Sequence, residues 1–405
     1  MSQQTTDGGP LYGKFDIPTM RRVWYGPGCL EHLPEEVERL GGQRVFIITS
    51  HTLATQTDLV DRVRSLLGNK VVGVDAASKQ HVPRRAVVEA AAQAREAGAD
   101  LLISLGGGSQ IDCAKAVALC LAEGVKNPEQ LDDYRVLFEY PDKVTVPSLK
   151  GQAPPHITVG TTLSAGDFTN FAGITDEERR VKDLYVDEQL MPKVSFLDAA
   201  ITVHTPSWLW ASTGMRAVDH CVEAFISQSH MPFTDALAFH ALQLLFRYLP
   251  PSTRDPHDLA AKTQCQLAAW MSIFGLANVL LGLSHGIGHQ LGARCNVPHG
   301  LTSCIMLPHV LEFNLPVTAE RQALLAQAMG VDTRDMATED AARAGIESLR
   351  RFIQGLGVPY RLRDVNVTRE DFDGIVRDAM QDLVVATNPR PATPQDVYAL
   401  LEKAY

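Results

Sequence analysis

From Arg44 onward, short runs of aliphatic and β-branched residues alternate with longer stretches whose apolar positions recur every three or four residues. RVFIIT (44–49) precedes TDLVDRVRSLLG (57–68), KVVGVD (70–75) precedes RRAVVEAAAQAREAG (84–98), and DLLISL (100–105) precedes QIDCAKAVALCLAEG (110–124). Short apolar runs between amphipathic helices are strands buried on both faces, so the spacing predicts a parallel sheet with helices on either side. HITVGTT (156–162) and VSFLD (194–198) add two further strands. After HTPSWLW (204–210) the strand pattern stops, and 234–249, 259–293 and 339–357 all carry the helical period. The expected fold is an α/β N-terminal domain with a Rossmann-like parallel sheet, residues 1–203, followed by an all-α C-terminal domain, residues 204–405. Residues 1–12 read as a flexible tail.

Composition narrows the class. The chain has 405 residues, 45% of them hydrophobic and 21% charged, which suits two globular domains. A net charge of −10 without a basic run speaks against nucleic acid. The opening MSQQTTDGGPLYGKF lacks the basic and apolar regions of a signal peptide, and no apolar run reaches the ~20 residues that span a bilayer. The seven cysteines are scattered without a CxxC pair, as in reduced cytoplasmic proteins.

Candidate chemistry lies in three places. In LGGGSQIDCAKA a buried strand leads through three glycines into a helix, an arrangement that brings backbone N–H groups close to a phosphate. It lacks the Lys-Ser/Thr of a Walker loop and is not GxGxxG. VGTTLSAGD (159–167) is a second strand leading into small hydroxyl residues, suited to the other wall of a nucleotide site. SHGIGHQLGARCNVPHG (284–300) carries His285 and His289 one helical turn apart, with His299 ten residues further on. Gly286 stands where a zincin has its Glu. In STGMRAVDHCVEAF (212–225), Arg216 and His220 share one helical face.

Together with VWYGPG (23–28) and LPHVLEFN (307–314), these stretches resemble the iron-containing (type III) alcohol dehydrogenase family, which includes maleylacetate reductases and is structurally related to dehydroquinate synthase. The resemblance implies that Gly106, Gly107, Gly108 and Ser109 cradle the pyrophosphate of NAD or NADP, with Asp112, Thr161, Thr162 and Leu163 beside it. It implies His220, His285 and His299 as ligands of a catalytic Fe or Zn, and His289 as the non-ligand histidine of proton relay. Ser50 stands after the first predicted strand, where relatives often carry an acid that repels a 2′-phosphate, so NADP(H) is expected to be tolerated.

Arg216 departs from that pattern: metal-dependent members have the fourth ligand, Asp, at this position. A guanidinium has no lone pair to offer. Two readings follow. Three imidazoles and water still make a legitimate metal set if Arg216 swings aside. Alternatively Arg216 stands in the metal's place, as maleylacetate reductases imply, and acts in catalysis and substrate binding. Arg294 is then expected as a second cation that favours a carboxylated substrate. Asp219, next to His220, is expected to point about 100° away around the helix. A dehydroquinate synthase-type lyase would need a dense basic set that the chain lacks. The retained histidines speak against a non-catalytic nucleotide binder. The expected activity is hydride transfer between a nicotinamide and a small carbonyl substrate, in a homodimer or higher homo-oligomer.

Overall fold

The structure, a computed structural model, describes residues 14–139, 143–179, 181–276 and 278–405, so the tail expected over residues 1–12 lies outside the described residues. The chain forms two compact units. One comprises Thr19–Trp210 and Pro251–Leu267; the other comprises Ala211–Pro250 and Ala268–Tyr405, joined by residues 14–18. A single cut at 203/204 therefore differs from the observed division. Residues 251–267 pack with the α/β unit because Lys262 Nζ lies 3.7 Å from the centre of the buried Trp210 ring and donates to the Thr202 carbonyl at 3.3 Å. The Trp210 indole donates to Ser252 at 3.0 Å.

The α/β unit holds β1 (Arg22–Tyr25), β2 (Val45–Ile48), β3 (Val71–Asp75) and β4 (Leu101–Gly106). β5 (Leu137–Glu139) and β6 (Lys143–Thr145) pair antiparallel, as do β8 (Phe171–Asp176) and β9 (Val181–Val186), while β7 (His156–Gly160) and β10 (Val194–Leu197) join the main sheet. That sheet runs in the order β1-β10-β7-β4-β2-β3 with every pair parallel. Helices α1 (Leu33–Arg39), α2 (His51–Gln56), α3 (Leu59–Leu67), α4 (Arg84–Glu96) and α5 (Gly108–Glu123) connect its strands. β2, β4, β7 and β10 are buried along their whole length, which is why they read as unbroken apolar runs. Edge strand β1, hairpin β5–β6 and strand β9 carry a weaker signal, since exposed and half-exposed positions dilute it.

Most of α6 (Ser207–Ile226) and α7 (Pro232–Arg254), the end of α8 (Leu259–Ile273), and the whole of α9 (Leu283–Cys295), α10 (His299–Ala328), α11 (Thr338–Gly355), α12 (Phe372–Ala379), α13 (Leu383–Ala386) and α14 (Pro394–Ala404) build the helical unit. No strand occurs among its described residues. No helix among the described residues is long and apolar enough to cross a membrane. All seven cysteines are free, and six are buried.

Candidate active site

The strand order reverses beside β2: the chain passes from β2 outward to β3, then returns to β4 on β2's other side. In open α/β sheets such a switch point, at the carboxyl ends of the strands, is where ligands bind. Ser50 lies just beyond β2 there, Gly106 ends β4, and Gly107 and Gly108 lead into α5. Gly106 has φ of +149°, which only glycine adopts freely. The Gln110 side chain accepts from Gly107 N at 3.0 Å, closing the turn. Thr161 N donates to the Gly106 carbonyl at 2.9 Å, so the second wall is tied directly to the turn. A Cβ on Gly107 would meet the Thr162 side chain at 3.0 Å, and one on Gly108 would meet Ser164 Oγ at 3.2 Å. Ser164 Oγ is itself buried without a hydrogen-bond partner. Bare backbone, a helix start and an orphaned hydroxyl fit a dinucleotide pyrophosphate.

Other residues of this wall have structural duties. Ser50 caps α2, its hydroxyl oxygen accepting from Leu53 N at 3.2 Å, so only its proton is free to donate. Asp112 accepts from Gly173 N at 3.2 Å, Leu163 is buried, and Ser109 lies in the first turn of α5. Lys115, which the sequence reading passed over, is wholly buried two turns into α5. Its ammonium donates to Gly166 O, Thr169 Oγ1 and Phe171 O at 2.7, 2.8 and 2.9 Å. Burial pulls its pKa down to about 8. A lone lysine in an otherwise apolar helix was the available signal.

The second site lies on α6, α9 and α10. Glycines let these segments approach closely: a Cβ on Gly300 would lie 2.4 Å from the Ser212 carbonyl oxygen, and one on Gly288 would lie 2.7 Å from Thr302 Oγ1. Arg216 is 5% exposed. Its Nη1 donates to Ser303 Oγ at 3.2 Å, and its Nη2 contacts His299 Nε2 within hydrogen-bonding range. Burial lowers its pKa to about 10, which leaves it cationic at neutral pH. The His220 and His285 rings stack with centroids 5.1 Å apart, both held neutral by burial. His285 Nδ1 donates to Glu223 at 2.7 Å, and its Nε2 is buried without a partner. Glu223 also accepts from the backbone N–H groups of Gly282 and Ser284 at 3.0 and 2.8 Å. His289 and His299 stack nearly parallel, 5.5 Å apart.

Two expectations are corrected here. Asp219 does not turn away: its Oδ2 is 3.7 Å from Arg216 Nη1 and 3.5 Å from His285 Nδ1, and it accepts from Ser284 and Ser303 hydroxyls at 2.8 and 2.6 Å. Its side chain bends back because a buried carboxylate follows its donors, and all of them lie on this side. Arg294 is not a second cation of the cluster. It stands 180° around α9 from His285 by helical geometry, is exposed, and its Nε donates to Asp378 at 2.5 Å.

Comparison with known proteins decides the family. The profile of iron-containing alcohol dehydrogenases matches residues 20–199, and that of the C-terminal region of the Fe-containing alcohol dehydrogenase family matches residues 210–405. The chain belongs to the iron-containing alcohol dehydrogenase family. It is therefore an oxidoreductase acting on CH–OH groups. It is 34% identical over 394 residues to lactaldehyde reductase of Escherichia coli (strain K12), an alignment spanning 95% of this chain and 97% of that protein. Its fold is similar to the solved structure of 1,3-propanediol oxidoreductase, with a TM-score of 0.89, 28% identity, and coverage of 97% of this chain and 100% of that one. Maleylacetate reductase from Rhizobium sp. strain MTP-10005 is similar at a TM-score of 0.77 and 26% identity, covering 97% of this chain and 99% of that one.

The family's metal does not fit this site as it is folded. A guanidinium only donates, so its contact with His299 consumes the Nε2 lone pair that a metal would need. That leaves His220 and His285 as imidazole donors, beside a buried cation. A divalent ion about 5 Å from Arg216 would be repelled by several kcal/mol at an effective dielectric near 20. Asp219, Glu223 and His285 bring ligand-type atoms within 4.8 Å of one another, but the His285–Glu223 hydrogen bond already occupies one pair of them.

Proposed function

We propose that this protein is an NAD(P)-dependent reductase of carbonyl groups in which Arg216, held by His299, takes the electrophilic role that a metal has in its relatives. The observation that supports it is the contact of the buried Arg216, through Nη2, with His299 Nε2, which places a fixed positive charge where the family pattern has an Asp ligand. The cradle residues Gly106, Gly107, Gly108 and Ser109, with Thr161, Thr162, Leu163 and Asp112, bind the dinucleotide, whose nicotinamide donates or accepts the hydride. Negative charge developing on the substrate oxygen is stabilised by Arg216, which is already oriented and desolvated before reaction. His289, about one-third exposed, exchanges the proton.

The substrate reading is a keto acid of maleylacetate type. It is supported by the buried guanidinium and by the fold similarity to maleylacetate reductase. It loses the help expected from Arg294, which Asp378 holds. The second reading is a metal-dependent dehydrogenase of small alcohols and aldehydes, favoured by the 34% identity to a lactaldehyde reductase. One assay separates them: NAD(P)H oxidation against a panel of aldehydes and keto acids, before and after exhaustive chelation, with metal analysis of the purified protein. The expected result is chelator-resistant activity without stoichiometric metal. Stoichiometric iron or zinc and loss of activity on chelation would overturn the reading. A cytoplasmic homodimer or higher homo-oligomer remains part of the proposal, its location supported by the seven free thiols.

A further inference from the structure

His289 has a partner that neither its helix nor its neighbours in sequence reveal. Its Nδ1 lies 2.8 Å from Asp382 Oδ2, contributed by the segment just before α13, 93 residues away. That carboxylate is held from two other sides. Oδ1 accepts from Val384 N at 3.1 Å, and Oδ2 also accepts from Gln290 Nε2 at 3.3 Å. A carboxylate accepts, so His289 Nδ1 must donate, and the other ring nitrogen is left for chemistry. The opposite face of the ring is fixed by the parallel stack on His299.

We propose that Asp382 is the positioning residue of His289, setting its tautomer and ring orientation so that Nε2 is the atom that exchanges a proton with substrate. In carbonyl reduction the nicotinamide gives its hydride to the carbonyl carbon, and the imidazolium gives its Nε2 proton to the oxygen of the new alcohol while its Nδ1–H stays on the ring, donated to Asp382. In alcohol oxidation the neutral ring takes that proton back through Nε2. The inference rests on the proton-relay role given to His289 under Proposed function.

Three single variants and one double variant test it, each read by kcat, the solvent deuterium isotope effect on kcat, NADH affinity by fluorescence titration, and thermal stability. Asp382→Asn preserves shape but can present an N–H to His289 Nδ1, forcing the wrong tautomer. Asp382→Ser keeps a helix-capping oxygen for Val384 N while removing the contact, so the question stays readable if the Asn variant does not fold. Both are expected to lose about a hundredfold to ten-thousandfold in kcat, with NADH affinity within threefold of wild type. His289→Gln is expected to lose as much, and adding Asp382→Asn to it to cost less than threefold more, because both changes disable one device. A multiplied loss in the double variant, together with weakened NADH binding, overturns the proposal and makes Asp382 structural. Full activity of both Asp382 variants beside a crippled His289→Gln overturns it alone. Full activity of His289→Gln removes the relay itself, and this inference with it.

Discussion

The turn after β4 and the cluster on α6, α9 and α10 are both built to meet negative charge, by opposite means. The turn does so with backbone: Gly107 caps α5 and Gly108 opens its first turn, and the nearby side chains, Thr162 and Ser164, are small and uncharged. The cluster does so with a buried side-chain cation, Arg216, surrounded by Asp219, Glu223 and three imidazoles. Backbone N–H groups need no counter-charge and tolerate a bound anion at little cost. A buried guanidinium must be compensated whether or not substrate is present. Asp219 and the Ser303 hydroxyl do this for Arg216. The turn therefore depends on the absence of side chains, and the cluster on the identity of several at once.

The largest expected effect comes from breaking the backbone site. Gly107→Val puts a branched side chain against Thr162, where a Cβ alone already sits at 3.0 Å. NADH binding should be lost; calorimetry showing affinity within threefold of wild type would refute the cradle. Arg216→Ala tests the side-chain site. It should remove about 2 to 4 kcal/mol of transition-state stabilisation, a loss of roughly thirtyfold to thousandfold in turnover. NADH affinity should stay unchanged. Arg216→Asp, by contrast, frees His299 Nε2 and should create a site that binds iron or zinc and makes activity chelator-sensitive. Wild-type turnover in Arg216→Ala would end the electrophile reading.

A smaller effect is expected at Ser50, whose capping role leaves one proton to donate. Wild type should use NADP(H) alongside NAD(H), and Ser50→Asp should shift the kcat/KM ratio towards NAD(H) about fivefold, through roughly 1 kcal/mol of added repulsion. A wild type that already rejects NADPH a hundredfold contradicts this. The last effect is read in acid stability and not in turnover. His156, buried and hydrogen-bonded to Ser104 Oγ at 2.8 Å, has its pKa pushed down to about 3 by burial. The unfolded chain therefore binds the extra proton between pH 6.5 and 3, so this contribution is complete above pH 6.5 and is lost as pH falls through that window. Urea unfolding across it should show His156→Gln with a shallower acid slope, by up to about 1.4 kcal/mol per pH unit. Equal slopes would mean that His156 is protonated in the folded state.

How far each part was legible follows from the range of the interactions that make it. The strands buried on both faces and the helices between them are local patterns, and β2, β4, β7 and β10 stand where apolar runs place them. The exposed hairpin β5–β6 and the half-exposed β9 lacked such a pattern. Residues 251–267 read as ordinary helix, and the contacts of Lys262 with Trp210 and Thr202 and of Trp210 with Ser252 show which unit they join. Asp219 was misplaced by an ideal helical projection that ignores how far a side chain turns towards its donors. Arg294 was expected as a second cation near the site, although it lies five residues from His289, a rotation of 140° along the helix.

The amino-acid sequence by itself determined the α/β-then-helical order, the glycine turn, the histidine set and the cation at position 216, because each is written in consecutive residues or in helical spacing. Tertiary structure decided which atoms those groups spend on one another. It turned His299 Nε2 towards Arg216, tied His285 to Glu223, sent Arg294 to Asp378, and brought Asp382 across 93 residues to His289. A lone pair or a proton has one partner at a time, and which partner reaches it is settled by packing between helices distant in the chain.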